Sequence, residues 1–414
     1  MSRVIAFCFL LLASVLGYLH IDSRPVWAPF AGDHPVYSAS QSDEALEPTE
    51  LSKPVKNLKN TAPVKLAPPS LRIDWLPDTE APSVHAASLI SLKDGGVRAF
   101  WFAGSREGAP DVVINTSVFD PHTFRWSAPT VVMDRVSAEK GLSRYIAKLG
   151  NPVPARMADG RMQLFFVTVS IGGWAGSSIS SVISDDEGLT WDRPQRLISS
   201  PLINLSTLVK SPALTFADGR LGLPGYHEWI GRFGEFLRIE ASQVIDKRRM
   251  SSGRGAIQPV VFTDGQQEAS AFFRQTRSSS QPKQIPVSET RDAGQSWSIA
   301  KDLEIANPNS AVAALTLVNG TRLMVLNNIE AGRYRLVMVM RESNSTQWKV
   351  IQVVEDDESL VNDLHREFSY PYLISANGQD AHLVYTWDRK KIKHVYFPVN
   401  WFKHASNLKE KEVQ

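Results

Sequence analysis

Six times along this chain an apolar run stops at Asp-Gly or Asn-Gly and resumes as another apolar run: at Asp94-Gly95, Asp159-Gly160, Asp218-Gly219, Asp264-Gly265, Asn319-Gly320 and Asn377-Gly378. Such a pair between apolar runs is the strongest short hairpin signal, and a two-residue type I′ turn with positive φ at both central residues is expected at each. A second motif keeps step with the first. Ser184-Asp185-Asp186-Glu187-Gly188-Leu189-Thr190-Trp191 and Thr290-Arg291-Asp292-Ala293-Gly294-Gln295-Ser296-Trp297 share the pattern S/T-x-D-x-G-x-x-W. Its short polar side chains bond the turn's own backbone, Gly accepts positive φ, and Trp anchors the turn from beneath. Asp159 precedes Asp186 by 27 positions and Asp264 precedes Asp292 by 28. Worn copies ending in Trp126 and Trp348 fall in the same phase, whereas the third unit has none. Strand, Asx-Gly turn, strand, loop, strand, polar turn, strand is one propeller blade. The expected fold is therefore all-β: a six-bladed β-propeller of four-stranded antiparallel blades. The last unit, from Phe368, shows only three strands, and an N-terminal strand from Leu71 to Leu76 is expected to supply the fourth and close the ring.

The ends of the chain read differently. Residues 1–22 hold Arg3 followed by an apolar run to Leu19, which predicts a hydrophobic helix acting as a signal peptide or a membrane anchor. The protein is thus expected to be exported, either periplasmic or extracellular, or held at a membrane by residues 4–19. Residues 23–70 are rich in Pro, Ser, Lys and Glu and predict a disordered linker. The propeller spans 71–400, and 401–414 form a charged tail. The single cysteine, Cys8, lies in the leader, so neither disulfides nor thiolate-bound metal hold the fold. A net charge of +2 with scattered Lys and Arg gives no nucleic-acid footprint. The histidines are dispersed without an H-x-x-x-H pair, so no metal and no cofactor are expected. A monomer is expected. Gly172-Gly173-Trp174-Ala175-Gly176 lacks the following Lys of a phosphate loop and reads as a loop at the mouth of a funnel.

The S/T-x-D-x-G-x-x-W turn resembles the Asp-box, or BNR repeat, of the sialidase (neuraminidase) superfamily. The resemblance implies an exo-glycoside hydrolase acting on terminal, acidic sugars of glycans. That family places an Arg and, five positions later, an acidic residue after the second strand of its first blade; here these are Arg106, a substrate contact, and Asp111, the acid/base. Arg274 and Arg333 resemble the arginines that clamp the sugar carboxylate, for which a bidentate guanidinium is the natural partner. Ser369-Tyr370-Pro371-Tyr372-Leu373 looks like the Tyr-x-x-Leu motif, making Tyr370 the nucleophile. In two places the sequence departs from the family. His85 stands where the first clamp arginine would be, and Ala256-Ile257-Gln258-Pro259 lacks the glutamate that activates the tyrosine. Glu367 or Glu228 is expected to substitute for it. Asn309 and Arg389, beside the expected funnel, suit a polyhydroxylated ligand.

Each choice also has a plainer reading. Asp111 could cap a turn, Arg106 and Glu107 could form a solvated pair, Tyr370 could pack a blade, and His85 could be a hydrogen-bonded core histidine. The same funnel would serve a glycan-binding propeller without turnover, or a lyase or neutral-sugar hydrolase with His85 as base.

Overall fold

The computed structural model describes residues 2–21, 27–31, 70–200, 204–251, 254–277, 282–361 and 364–402. Apart from the helix Ser2–Ile21, a short helix, Arg135–Leu142, and single helical turns at Trp174–Gly176 and 399–402, the regular structure among the described residues is nearly all antiparallel strand. The strands fall into six successive units. The inner strands are Ser83–Ser91, Lys148–Arg156, Leu208–Val209, Ala256–Thr263, Ala313–Thr316 and Phe368–Ile374. Further strands follow each in meander order, three in the first five units and two in the sixth, while the third and fourth units share one sheet through a single parallel pair, Phe233 with Ala256. Neighbouring inner strands lie side by side, except that the third unit meets the fourth inner strand through Leu221–His227, and the inner strand of the sixth unit lies beside that of the first. Six apolar clusters fill the six gaps between neighbouring units, including the gap between sixth and first, where Val84, Trp101, Tyr372 and Ile392 meet. The strand Arg72–Trp75 pairs with Lys391–Phe397, with Arg72 opposite Tyr396, and so forms the outer strand of the sixth unit.

The hairpin turns differ from the expected type. At the first, Gly95 has φ of 84° while Asp94 is not left-handed; Gly95 N–H donates to Leu92 O and Leu92 N–H to Gly96 O. This is a longer turn ending in one left-handed glycine, which matches strand twist with a single positive φ. The aspartate is chosen for its oxygen, since Asp94 Oδ1 accepts from Gly96 N–H at 2.9 Å. The same bond recurs at Asp159, Asp218, Asn319 and Asn377. In the polar turns, Ser184 Oγ accepts from Gly188 N–H and Asp186 accepts from the N–H groups of Leu189 and Thr190. Thr290 and Asp292 repeat these bonds to Gly294 and Ser296. Their tryptophans wedge against the preceding unit: Trp191 on Phe100 at 5.8 Å and Trp297 on Phe236 at 5.7 Å. The third unit, which lacks the motif, meets its predecessor through a Gln163 to Ser242 hydrogen bond instead.

Two boundaries need correction. Trp27 to Ala31 fall inside the expected disordered linker, yet Trp27 and Phe30 are buried with Phe216, Phe236, Phe273 and Met250 between the third and fourth units. Phe30 N–H donates to Gln266 O, Ala217 N–H to Pro29 O, and Trp27 Nε1 to Asp246. Two large aromatics three residues apart are enough to dock a short polar-flanked segment. Residues 32–69 lie outside the described residues. At the other end, Trp401 and Phe402 are buried against Phe397, so the folded part runs two residues past 400. The helix Ser2–Ile21 covers the leader, with side chains exposed from Val4 to Val15. Among the described residues no helix is long and apolar enough to cross a membrane.

Strand register gives the molecule two faces. The Asx-Gly turns and polar turns lie on one. On the other lie the loops joining second to third strands, such as 105–112, 228–232 and 388–390, and the links between units.

Candidate active site

Each inner strand is irregular where it nears the loop face. The residue there is left-handed although it is not glycine: Ala86, Asn151, Ser206, Gln258, Asn309 and Tyr370, with φ between 44° and 67°. Register shifts mark four of these places in the ladders, at His85/Ser88, Gly150/Val153, Ile257/Val260 and Ser369/Tyr372. A left-handed non-glycine residue is strained, and strain held at one equivalent position in every unit points to function. The kinks turn consecutive side chains towards the shared axis. Sequence spacing gives no sign of them.

Hydrogen bonds join this ring into one continuous network. Asn151 Nδ2 and Gln258 Nε2 both donate to the hydroxyl of Tyr226, each at 3.3 Å. Gln258 Nε2 also donates to the hydroxyl of Tyr370 at 2.9 Å, and its Oε1 accepts from Arg274 at 3.2 Å. Arg274 Nε donates to Asn309 Oδ1 at 2.7 Å. Arg333 donates to the Asn309 carbonyl and to Glu367, each at 3.0 Å. Arg389 bridges Glu367 to Glu107 of the first unit. Of the sequence-predicted residues, Tyr370, Arg274, Asn309, Arg333, Glu367 and Arg389 are thus brought together. Glu107, first weighed as a solvated partner of Arg106, belongs to the network through Arg389.

His85 packs its ring 4.3 Å from that of Tyr370. It is fully buried, neither ring nitrogen has a partner, and burial lowers its pKa to about 4, so it is neutral at pH 7. Glu367 is also largely buried, which alone would raise its pKa, but Arg389 and Arg333 beside it hold it at about 2. It is a fixed anion here. Glu228 behaves in the opposite way: burial raises its pKa, only partly offset by the charge of Arg274. Its backbone N–H is pinned by Ser206 Oγ at 2.8 Å. Asp111 and Arg106 lie on the exposed 105–112 loop. Both oxygens of Asp111 accept from Ser105, one from N–H and one from the hydroxyl, at 2.9 Å each, and these bonds lower its pKa. No hydrogen bond among the described residues links Asp111 to the Tyr370 network.

Sequence reasoning missed Tyr226, Asn151 and Lys210, which reach the axis from the second and third units. The 172–176 loop lies on the same face, and Trp174 packs so closely over Gly150 that a Cβ there would sit 2.8 Å from its ring. Among the described residues, no group of three or more His, Cys, Asp or Glu could hold a metal ion.

Residues 95–383 match the BNR repeat-like domain. The chain belongs to that family. Solved sialidases of low sequence identity share its fold. The Hadza microbial sialidase Hz136 is 14% identical over 77% of this chain and 66% of its own, with a TM-score of 0.61. NanB sialidase from Streptococcus pneumoniae is 13% identical over 78% of this chain and 69% of its own, at 0.61. The intramolecular trans-sialidase from Ruminococcus gnavus is 14% identical over 78% of this chain and 96% of its own, at 0.60. A protein of unknown function from Dyadobacter fermentans is as similar, at 12% identity and 0.62. No curated protein matches the sequence.

Proposed function

We propose that this BNR repeat-like protein is a sialidase-like exo-glycoside hydrolase that takes a terminal acidic sugar into the axial funnel of a six-bladed propeller closed by its N-terminal strand. The observation that carries the reading is the hydrogen-bonded network running from Asn151 to Glu107, which draws side chains from all six units to one axis around Tyr370. Arg274 offers a cation whose bonded partners are neutral amide oxygens, so its charge is free for an anionic ligand. Arg333 and Arg389 are balanced by Glu367 and Glu107 and serve to hold the wall. Tyr370 would attack or stabilise the anomeric carbon, its neutral phenol suiting a negatively charged substrate. Glu228, with its raised pKa, is the better-poised proton donor in this arrangement, because Asp111 is held ionised by Ser105. Export, or attachment through residues 4–19, would put the funnel in reach of extracellular glycans.

The second reading is a glycan-binding propeller without turnover. It is favoured by Gln258, an amide that donates to the Tyr370 hydroxyl and cannot take its proton. Neutral His85 packs beside the phenol, and it would be the base in a lyase or neutral-sugar reaction. The test assays the full chain, Tyr370→Phe, Glu228→Gln and Asp111→Asn against a panel of aryl glycosides while measuring glycan binding. Turnover lost in Tyr370→Phe supports the hydrolase. Binding without turnover in every protein would leave only the second reading.

A further inference from the structure

Lys210 follows the short inner strand of the third unit and is buried, together with Thr207 and Ser211 on the same stretch. Its ammonium crosses the axis to donate to the carbonyls of Pro371 at 2.6 Å and Val312 at 3.2 Å. The bond to Pro371 falls one residue after Tyr370. With Ala86, Ala87, Asn151, Pro152 and Tyr370, Lys210 lines a narrow crevice that has no room for a water-sized molecule as the side chains stand. The titratable groups around it are Arg274, Tyr370 and Tyr372, whose ring centre is 6.0 Å from the ammonium. Of these only Arg274 acts on it as a charge, and no carboxylate does.

Two cations therefore share the funnel floor with carbonyl and amide oxygens for partners. A buried ammonium without a counter-ion is costly, and a methionine would fill its space without that cost. An anion arriving from outside would offset that cost. We propose that Lys210 is a specificity-determining residue, a through-space cation beneath Tyr370 that makes the funnel select an anionic ligand over its neutral isostere. This rests on the reading of the funnel as a ligand site, with Arg274 as the group in contact. The ammonium of Lys210 is taken up by the carbonyls of Pro371 and Val312, so it acts on the ligand through its charge. Burial and the charge of Arg274 lower the pKa of Lys210 to about 7, so its charge in the free protein fades as pH rises through neutrality. An anion bound at Arg274 would restore that charge, coupling binding to proton uptake.

The experiment uses the full chain and two probes, N-acetylneuraminic acid and its methyl ester, measured by calorimetry at pH 6 and pH 8. Wild type is expected to prefer the acid and to lose affinity for it by up to about tenfold between pH 6 and pH 8. Lys210→Met is expected to weaken acid binding about tenfold at pH 6, to leave ester binding unchanged and to flatten the pH response. Lys210→Gln, which keeps a donor for the carbonyls, should behave like Lys210→Met, separating charge from the strut to Pro371. Acid binding unchanged in both variants, while Arg274→Ala loses it, overturns the role of Lys210 alone. Failure of wild type to bind either probe overturns the funnel reading, and this inference with it.

Discussion

The two faces of the ring are held by different kinds of bond. On the turn face the polar contacts that shape each turn close within a few residues, Asp94 to Gly96, Ser184 to Gly188 and Thr290 to Gly294, while contacts such as Arg156 to Glu187 and Trp27 to Asp246 tie turns together. On the loop face the contacts leap across the chain, as from Gln258 to Tyr370 or from Arg389 to Glu107. Short-range bonds need only local sequence to form, whereas long-range ones exist only after the ring has assembled. The turn face should therefore carry stability, and the loop face should carry function at some expense of stability.

The largest effect expected is on the loop face. Tyr370→Phe should lower turnover by about 10²–10⁴ with no change in melting temperature, and Glu228→Gln by a similar factor if it donates the proton. Asp111→Asn should then cost at most a few-fold; the reverse ranking would move the proton donor to the exposed loop. Next comes the docked segment on the turn face. Trp27→Ala should destabilise by about 3–5 kcal/mol, read as a shift of the urea midpoint, with ligand affinity unchanged. A chain begun at residue 71 should lose at least as much, because Phe216 and Phe236 would be uncovered. Gly294→Ala comes third. Its φ is 89° and an added Cβ would lie 2.7 Å from the Phe236 ring, so roughly 1–3 kcal/mol is expected, again without effect on binding. The smallest effect blurs the contrast between the faces. His85 and His382 are buried with pKa values lowered to about 4, mainly by burial. The unfolded chain binds more protons than the folded one between about pH 6.5 and pH 4, so stability should fall as pH falls through that window. His85→Gln should remove part of that slope; an unchanged slope would mean the ring of His85 is already charged or solvated.

The same contrast explains what could be read from the sequence. Six Asx-Gly pairs and the two S/T-x-D-x-G-x-x-W turns announced the units because their chemistry is local, although the turn type was misjudged: one left-handed glycine suffices where two such residues were expected. Tyr370, Arg274 and Arg333 were singled out through motif position, and they share one hydrogen-bonded network. The left-handed kinks at Ala86, Asn151 and Ser206 leave no compositional trace, since Ala, Asn and Ser each occur in ordinary strands. Tyr226 and Lys210 look like strand residues until the ring turns them inward. Trp27 and Phe30 were hidden by their neighbours: an apolar pair in a polar, proline-rich stretch reads as tether until a matching hollow is seen between two units.

That hollow opens among Thr215, Ala217, Gln266 and Gly294, all on the turn face. Five residues separate the end of the helix Ser2–Ile21 from Trp27, a reach of at most about 20 Å. That tie therefore keeps the helix Ser2–Ile21 nearer the turn face of the ring than the face that carries Tyr370.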